Sequence, residues 1–131
     1  MIIIHLIKIV VAFLCALLIA HRLIGFKQSI RFPLVVLICL GSTLFMLFAM
    51  DIDPGTFLSP FRMGAYIMLA SGFIGAGFVV REKSLDSGVL WAAVVWISAG
   101  IGMGIGAGYF LEGITATLLI YLVMSWVWHE P

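Results

Sequence analysis

A 40-residue apolar run, residues 89–128, constrains the fold of this chain more than any other feature. Glu112 is the single charged residue in that run. One crossing of a bilayer needs about 20 apolar residues, so the run is expected to cross twice and to fold back on itself. Five glycines occupy every second position from residue 100 to residue 108. Because glycine adopts positive φ at no steric cost, these glycines predict a hairpin turn near residues 106–108.

The whole chain shares this apolar character, with 64% hydrophobic and 10% charged residues. A soluble domain is about half apolar and a quarter charged. A chain of 131 residues cannot bury such an excess in a globule, because small domains keep much of their surface exposed. We therefore predict an all-α integral membrane protein that partners the lipid bilayer. A net charge of +1 gives no support to a nucleic-acid partner.

Polar links divide the chain into a single transmembrane domain, residues 1–131, of about five helices. The expected spans are residues 2–24, 32–50, 63–80, 88–106 and 109–128, and the last two form a glycine-rich hairpin. Cytoplasmic loops carry an excess of Lys and Arg. We therefore expect the N-terminus outside and the C-terminus in the cytoplasm, because that arrangement puts five basic residues on the inner side, namely Arg22, Lys27, Arg31, Arg81 and Lys83.

Small residues spaced four apart on one helix face let membrane helices approach closely. The third and fourth helices have such rows, and we expect these two helices to form the tightly packed centre of the bundle. A backbone-lined pore or substrate path is the alternative. The predicted packing positions are Gly64, Gly72, Gly75, Ala76, Gly100, Gly104 and Gly108, with Gly102 and Gly106 as a second row.

Five charged residues are candidates for ion or partner contact. Glu112 would handle a proton or cation if it lay deep in the bilayer, or would be a hydrated end-charge at the hairpin tip. Asp51 and Asp53 would hold a divalent cation weakly, or would form ordinary turn contacts with the local backbone. Arg62 would pair with an aspartate or anchor at the interface, and Arg81 belongs to a polar link expected to be solvated.

His5 and Lys8 share one face of the first helix and are expected to snorkel to the outer interface. The sequence contains no nucleophile paired with a base, no phosphate-binding loop and no metal-ligand cluster. We therefore expect no enzyme activity, no cofactor and no metal site.

Four motifs follow one another at characteristic spacing. An Asp53-Pro54 loop is followed by Arg62, then by "GFIGAGFVVR" from Gly72 to Arg81, then by "GVLWAAVVW" and the glycine-rich stretch. In this order and spacing the segment resembles the membrane domain of the MgtC/SapB family. The earlier region "AHRLIGFKQSIRFP" has no acidic residue where the family has an acidic-arginine motif. We expect a short, divergent member without the cytoplasmic C-terminal domain of the longer members.

The resemblance implies a small protein of the bacterial inner membrane linked to magnesium homeostasis. Well-known members of the family resemble regulators of other membrane machines. The expected function is a non-enzymatic regulator or accessory subunit that acts through helix contacts with other membrane subunits or with itself. The alternative is a small ion or proton channel or transporter that uses Glu112 and the Asp51/Asp53 loop.

Overall fold

The computed structural model describes residues 1–23, 31–52 and 59–127. These residues contain no strand, so the all-α prediction is confirmed. Four helices are long and apolar enough to cross a membrane, and the fifth is apolar but shorter. The chain is therefore a multi-pass membrane protein. The helices are α1 (Ile2–Arg22), α2 (Arg31–Asp51), α3 (Pro60–Arg81), α4 (Leu85–Ala107) and α5 (Phe110–Val127).

Helices α3 and α4 each begin three residues before the predicted spans, at residues 60 and 85 instead of 63 and 88. A serine caps the start of each helix. The Ser59 hydroxyl accepts a hydrogen bond from the Arg62 amide at 3.4 Å, and Pro60 opens the helix. The Ser84 hydroxyl likewise accepts one from the Ser87 amide at 3.3 Å. Serine at this position satisfies an amide that has no partner within the helix, and proline is preorganised for the first helical turn. Spans that are predicted from apolar residues alone begin too late, because the serines that cap these helices are polar.

Helix α4 lies at the centre of the bundle and contacts each of the other four helices. The helices α5, α1, α2 and α3 follow one another around it. In the described part of the chain α3 and α5 do not touch, so the ring is open on one side. We call Ala93, Trp96 and Gly100 the open face of α4. Trp96 is half exposed and Ala93 is exposed. Among the described residues, no side chain or neighbouring helix lies within 4 Å of a Cβ built at Gly100.

The closest approach in the bundle joins α4 to α2. A Cβ added at Gly102 would lie 2.9 Å from the carbonyl carbon of Cys39 and closer still to its oxygen. One added at Gly106 would lie 2.7 Å from the Thr43 carbonyl oxygen. The Thr43 hydroxyl lies 2.8 Å from the Cys39 carbonyl oxygen and 3.0 Å from that of Gly102, so it bridges the two helices. Glycine is required here because two backbones come into direct contact.

Helix α3 packs on another side of α4 through a second pair of glycines. A Cβ at Gly75 would lie 3.2 Å from the Ala92 Cβ, and one at Gly88 would lie 2.8 Å from the Val79 Cα. The packed centre therefore consists of α4 with both α2 and α3. The rows of small residues predicted only α3 and α4 there.

Candidate functional site

The turn between α4 and α5 lies where the glycine pattern predicts it. Gly108 has φ +103° and is the only residue with positive φ in the described segments. Its amide donates to the Ile105 carbonyl at 3.0 Å, and the Tyr109 amide donates to the Gly104 carbonyl at 2.9 Å. This pair of bonds ends a helix at a left-handed glycine. It uses two of the carbonyls at the end of α4 and leaves that of Gly106 for another donor.

Lys8 supplies that donor from α1. Its ammonium donates to the Gly106 carbonyl at 2.9 Å, and the residue is only 9% exposed. A cation is stabilised at a helix C-terminus because the aligned peptide dipoles leave partial negative charge there. The expectation that Lys8 snorkels to the interface is therefore wrong: the side chain points into the bundle. Its acceptor lies 98 residues further along the chain, which no local pattern reveals.

His5 and Asp51 form a second polar contact at this end of the bundle, between α1 and α2. The His5 Nε2 atom lies 3.5 Å from an Asp51 carboxylate oxygen, and the two side chains are 28% and 44% exposed. Asp51 is thus partnered across a helix pair. Asp53 lies outside the described residues, so the predicted pair of aspartates is represented by Asp51 alone.

Glu112 and Arg62 lie at the same end of the bundle as Lys8. Glu112 is exposed in the first turn of α5, where the helix dipole favours a carboxylate. Arg62 is exposed in the first turn of α3. Among the described residues, no three His, Cys, Asp or Glu side chains are grouped so that they could hold a metal ion.

The opposite end of the bundle carries Arg81 and a contact of Arg22 that was not predicted from the sequence. Arg81 is the exposed last residue of α3. The Arg22 guanidinium donates to the Ser125 hydroxyl and lies 5.2 Å from the centroid of the Tyr121 ring. A cation over an aromatic face is attractive, so Arg22 joins α1 to α5. The spacing of Tyr121 and Ser125, one helical turn apart, is the only sequence signal for this contact.

The predicted packing positions fall into two groups. Gly75 and Gly64 have neighbours on α4: a Cβ at Gly64 would lie 3.2 Å from the Met103 sulfur. The others have no such neighbour on another helix's backbone in the described part of the chain. There a Cβ at Gly72, Gly100 or Gly104 would meet nothing within 4 Å, and Ala76 is exposed. A Cβ at Gly108 would lie 3.9 Å from the Lys8 ammonium nitrogen, and this glycine serves the turn. The intrachain contact uses the alternate row, Gly102 and Gly106.

Comparison with known proteins matches residues 9–129 to the model of the MgtC family. Protein MgtC of Salmonella typhimurium is 39% identical over 84 residues, which cover 64% of this chain and 35% of that protein. YhiD of Escherichia coli, described as a candidate magnesium transporter, is 35% identical over 102 residues, 72% of this chain and 46% of that protein. This chain spans less than half the length of these relatives.

No solved structure matches this chain. The family match, in contrast, covers nearly all of its length and includes α4, the turn at Gly108 and most of α1. The earlier resemblance to the MgtC/SapB family is thereby confirmed. This multi-pass membrane protein belongs to the MgtC family.

Proposed function

We propose that this chain is a non-enzymatic regulator or accessory subunit of a bacterial inner-membrane complex. It acts through helix–helix contacts with other membrane subunits or with a second copy of itself. The relative named as a candidate magnesium transporter supports a link to magnesium homeostasis. The observation that carries the proposal is the open face of α4, because no described residue outside α4 covers the central helix between α3 and α5.

The residues of this face suit a partner helix. Gly100 leaves room for close approach of another backbone, as small residues do between membrane helices. Trp96, one turn away and half exposed, offers a large aromatic surface beside that gap. Aromatic residues dominate the energetics of contacts in which they become buried.

The proposed orientation places the Lys8 end of the bundle outside and the Arg22 end in the cytoplasm. Arg22 and Arg81 end α1 and α3, so both lie at the second end. The polar links that begin there hold Lys27 and Lys83 as well. The excess of basic residues supports this orientation.

A Gly100→Leu variant tests the function. We expect a stoichiometric partner to co-purify with the wild-type chain from native membranes in mild detergent. The leucine should lower its recovery roughly tenfold, because overpacking a close contact costs about 1–3 kcal/mol. Gly77→Leu is the matched control, because it adds the same side chain at an equally open position on α3. Quantitative mass spectrometry and native mass would report the partner or a second copy. A wild-type chain that purifies alone as a monomer would overturn the proposal.

Transport is the second candidate, and the description of YhiD favours it. In that case Glu112, exposed at the start of α5, would lie on the path of a cation. We expect Glu112→Gln to leave assembly and magnesium-dependent growth unchanged if the chain is a regulator. Loss of cation flux into proteoliposomes on this substitution, with assembly intact, would favour transport instead. Asp86→Asn is the control, because Asp86 is an exposed carboxylate in the first turn of α4.

A further inference from the structure

An apolar cavity of about 650 Å³ opens at the Lys8 end of the bundle, beneath the first turns of α3. Helices α2, α3 and α4 all contribute to its walls. Phe61 is 88% exposed and Tyr109 is 60% exposed. Exposed aromatic residues at helix ends are typical of the headgroup level of a membrane. The lining includes Met46, Met50, Phe61, Ala65, Gly104 and Tyr109.

The size of the cavity selects among possible occupants. The volume of about 650 Å³ lies within the range of about 300–1,000 Å³ typical of small-molecule sites. A single hydrocarbon chain is much thinner than a helix, and the walls offer it methionine, alanine and glycine surfaces.

A charged residue near the opening of the cavity indicates which lipid headgroup would bind there. Arg62 is exposed in the first turn of α3. It directly follows Phe61 and lies three residues before Ala65, both of which line the cavity, so its long side chain begins beside the cavity and not in its lining. A guanidinium matches the geometry of a phosphate group and donates to two of its oxygens at once. Lys8 does not compete for this role, because its ammonium is buried against Gly106.

We propose that this cavity binds one acyl chain of an anionic phospholipid, whose phosphate contacts Arg62. The lipid would lie between the first turns of α3 and the ends of α2 and α4. This site begins one helical turn beyond the open face of α4, because Gly104 lines it whereas Ala93, Trp96 and Gly100 do not.

Native mass spectrometry of the purified full chain tests the site. The probes are phosphatidylglycerol and phosphatidylcholine with identical tails, added to the delipidated protein in detergent. We expect one phosphatidylglycerol to bind the wild-type chain more tightly than phosphatidylcholine. Gly104→Leu should reduce binding of both lipids about tenfold, because its side chain enters open space in the cavity. Gly100→Leu should leave lipid binding unchanged, because Gly100 is equally open but lies outside the cavity.

Arg62→Gln tests the headgroup contact separately. We expect the preference for phosphatidylglycerol over phosphatidylcholine to fall about fivefold, the effect of one basic residue near an anionic lipid. Unchanged lipid binding in Gly104→Leu would overturn the acyl-chain site, and an unchanged preference in Arg62→Gln would overturn the phosphate contact. A doubled native mass that Gly104→Leu abolishes would also overturn the proposal, because the occupant would then be a second copy. Lipid loss in Gly104→Leu together with partner loss in Gly100→Leu alone would distinguish this site from the proposed partner surface.

Discussion

Gly102→Val is expected to cause the largest loss of stability of any glycine substitution in the α4 row. Its Cβ would meet the backbone of Cys39, which no rotamer change can move. The α2–α4 pair would have to separate, and the Thr43 hydroxyl would lose its position between the Cys39 and Gly102 carbonyls. We expect a loss of roughly 3 kcal/mol or more, or a fall of about 10 °C in the melting temperature in detergent. Size-exclusion of heated samples measures the fraction that stays monodisperse.

Gly100→Val is the matched control for this experiment. It places the same side chain two residues away on the same helix, where a Cβ meets nothing within 4 Å. Both variants carry the same loss of backbone freedom and the same change in helix propensity, so the difference between them measures the contact with α2. Equal melting temperatures for the two variants would contradict the α2–α4 packing.

Lys8→Met is expected to give the second-largest effect. Methionine keeps an unbranched side chain of similar length but cannot donate to the Gly106 carbonyl. That acceptor would stay buried at the end of α4 without the donor that it has now. Loss of a hydrogen bond to a charged group, with the partner left unsatisfied, costs about 1–3 kcal/mol. Thermal denaturation of the purified chain in detergent would show the change.

Lys83→Met controls for removal of a positive charge as such, because Lys83 is exposed in the link before α4. We expect its melting temperature to match that of the wild type. If Lys8→Met were as stable as the wild type or more so, burial of the ammonium would cost more than the hydrogen bond contributes. In that case Lys8 would not stabilise the α1–α4 contact.

The number of helices and the place of the hairpin could be predicted because both depend on local properties. Apolar length sets the spans, and glycine at residue 108 permits the left-handed turn that the structure contains. The starts of α3 and α4 were also within reach, since Ser59 with Pro60, and Ser84, are recognisable capping signals.

The sequence alone could not show which of the two glycine rows of α4 packs against another helix. The rows 100–104–108 and 102–106 have the same spacing and nearly the same neighbours. Only the position of α2 decides that Gly102 and Gly106 are packed while Gly100 and Gly104 remain open. The direction of the Lys8 side chain could not be predicted for a similar reason. The ammonium of a lysine near a helix end is stabilised both at the membrane interface and at the C-terminus of another helix.

The Lys8–Gly106 hydrogen bond also orders events during synthesis. Helix α1 leaves the ribosome first, whereas its acceptor follows 98 residues later. Until α4 has been made, the ammonium has no access to that carbonyl, and water is the cheapest alternative for a charge near a membrane. The hydrogen bond that Lys8 makes inside the bundle can therefore form only after α4 has been made. The first helix to be translated thus completes its Lys8 contact only after most of the chain has been synthesised.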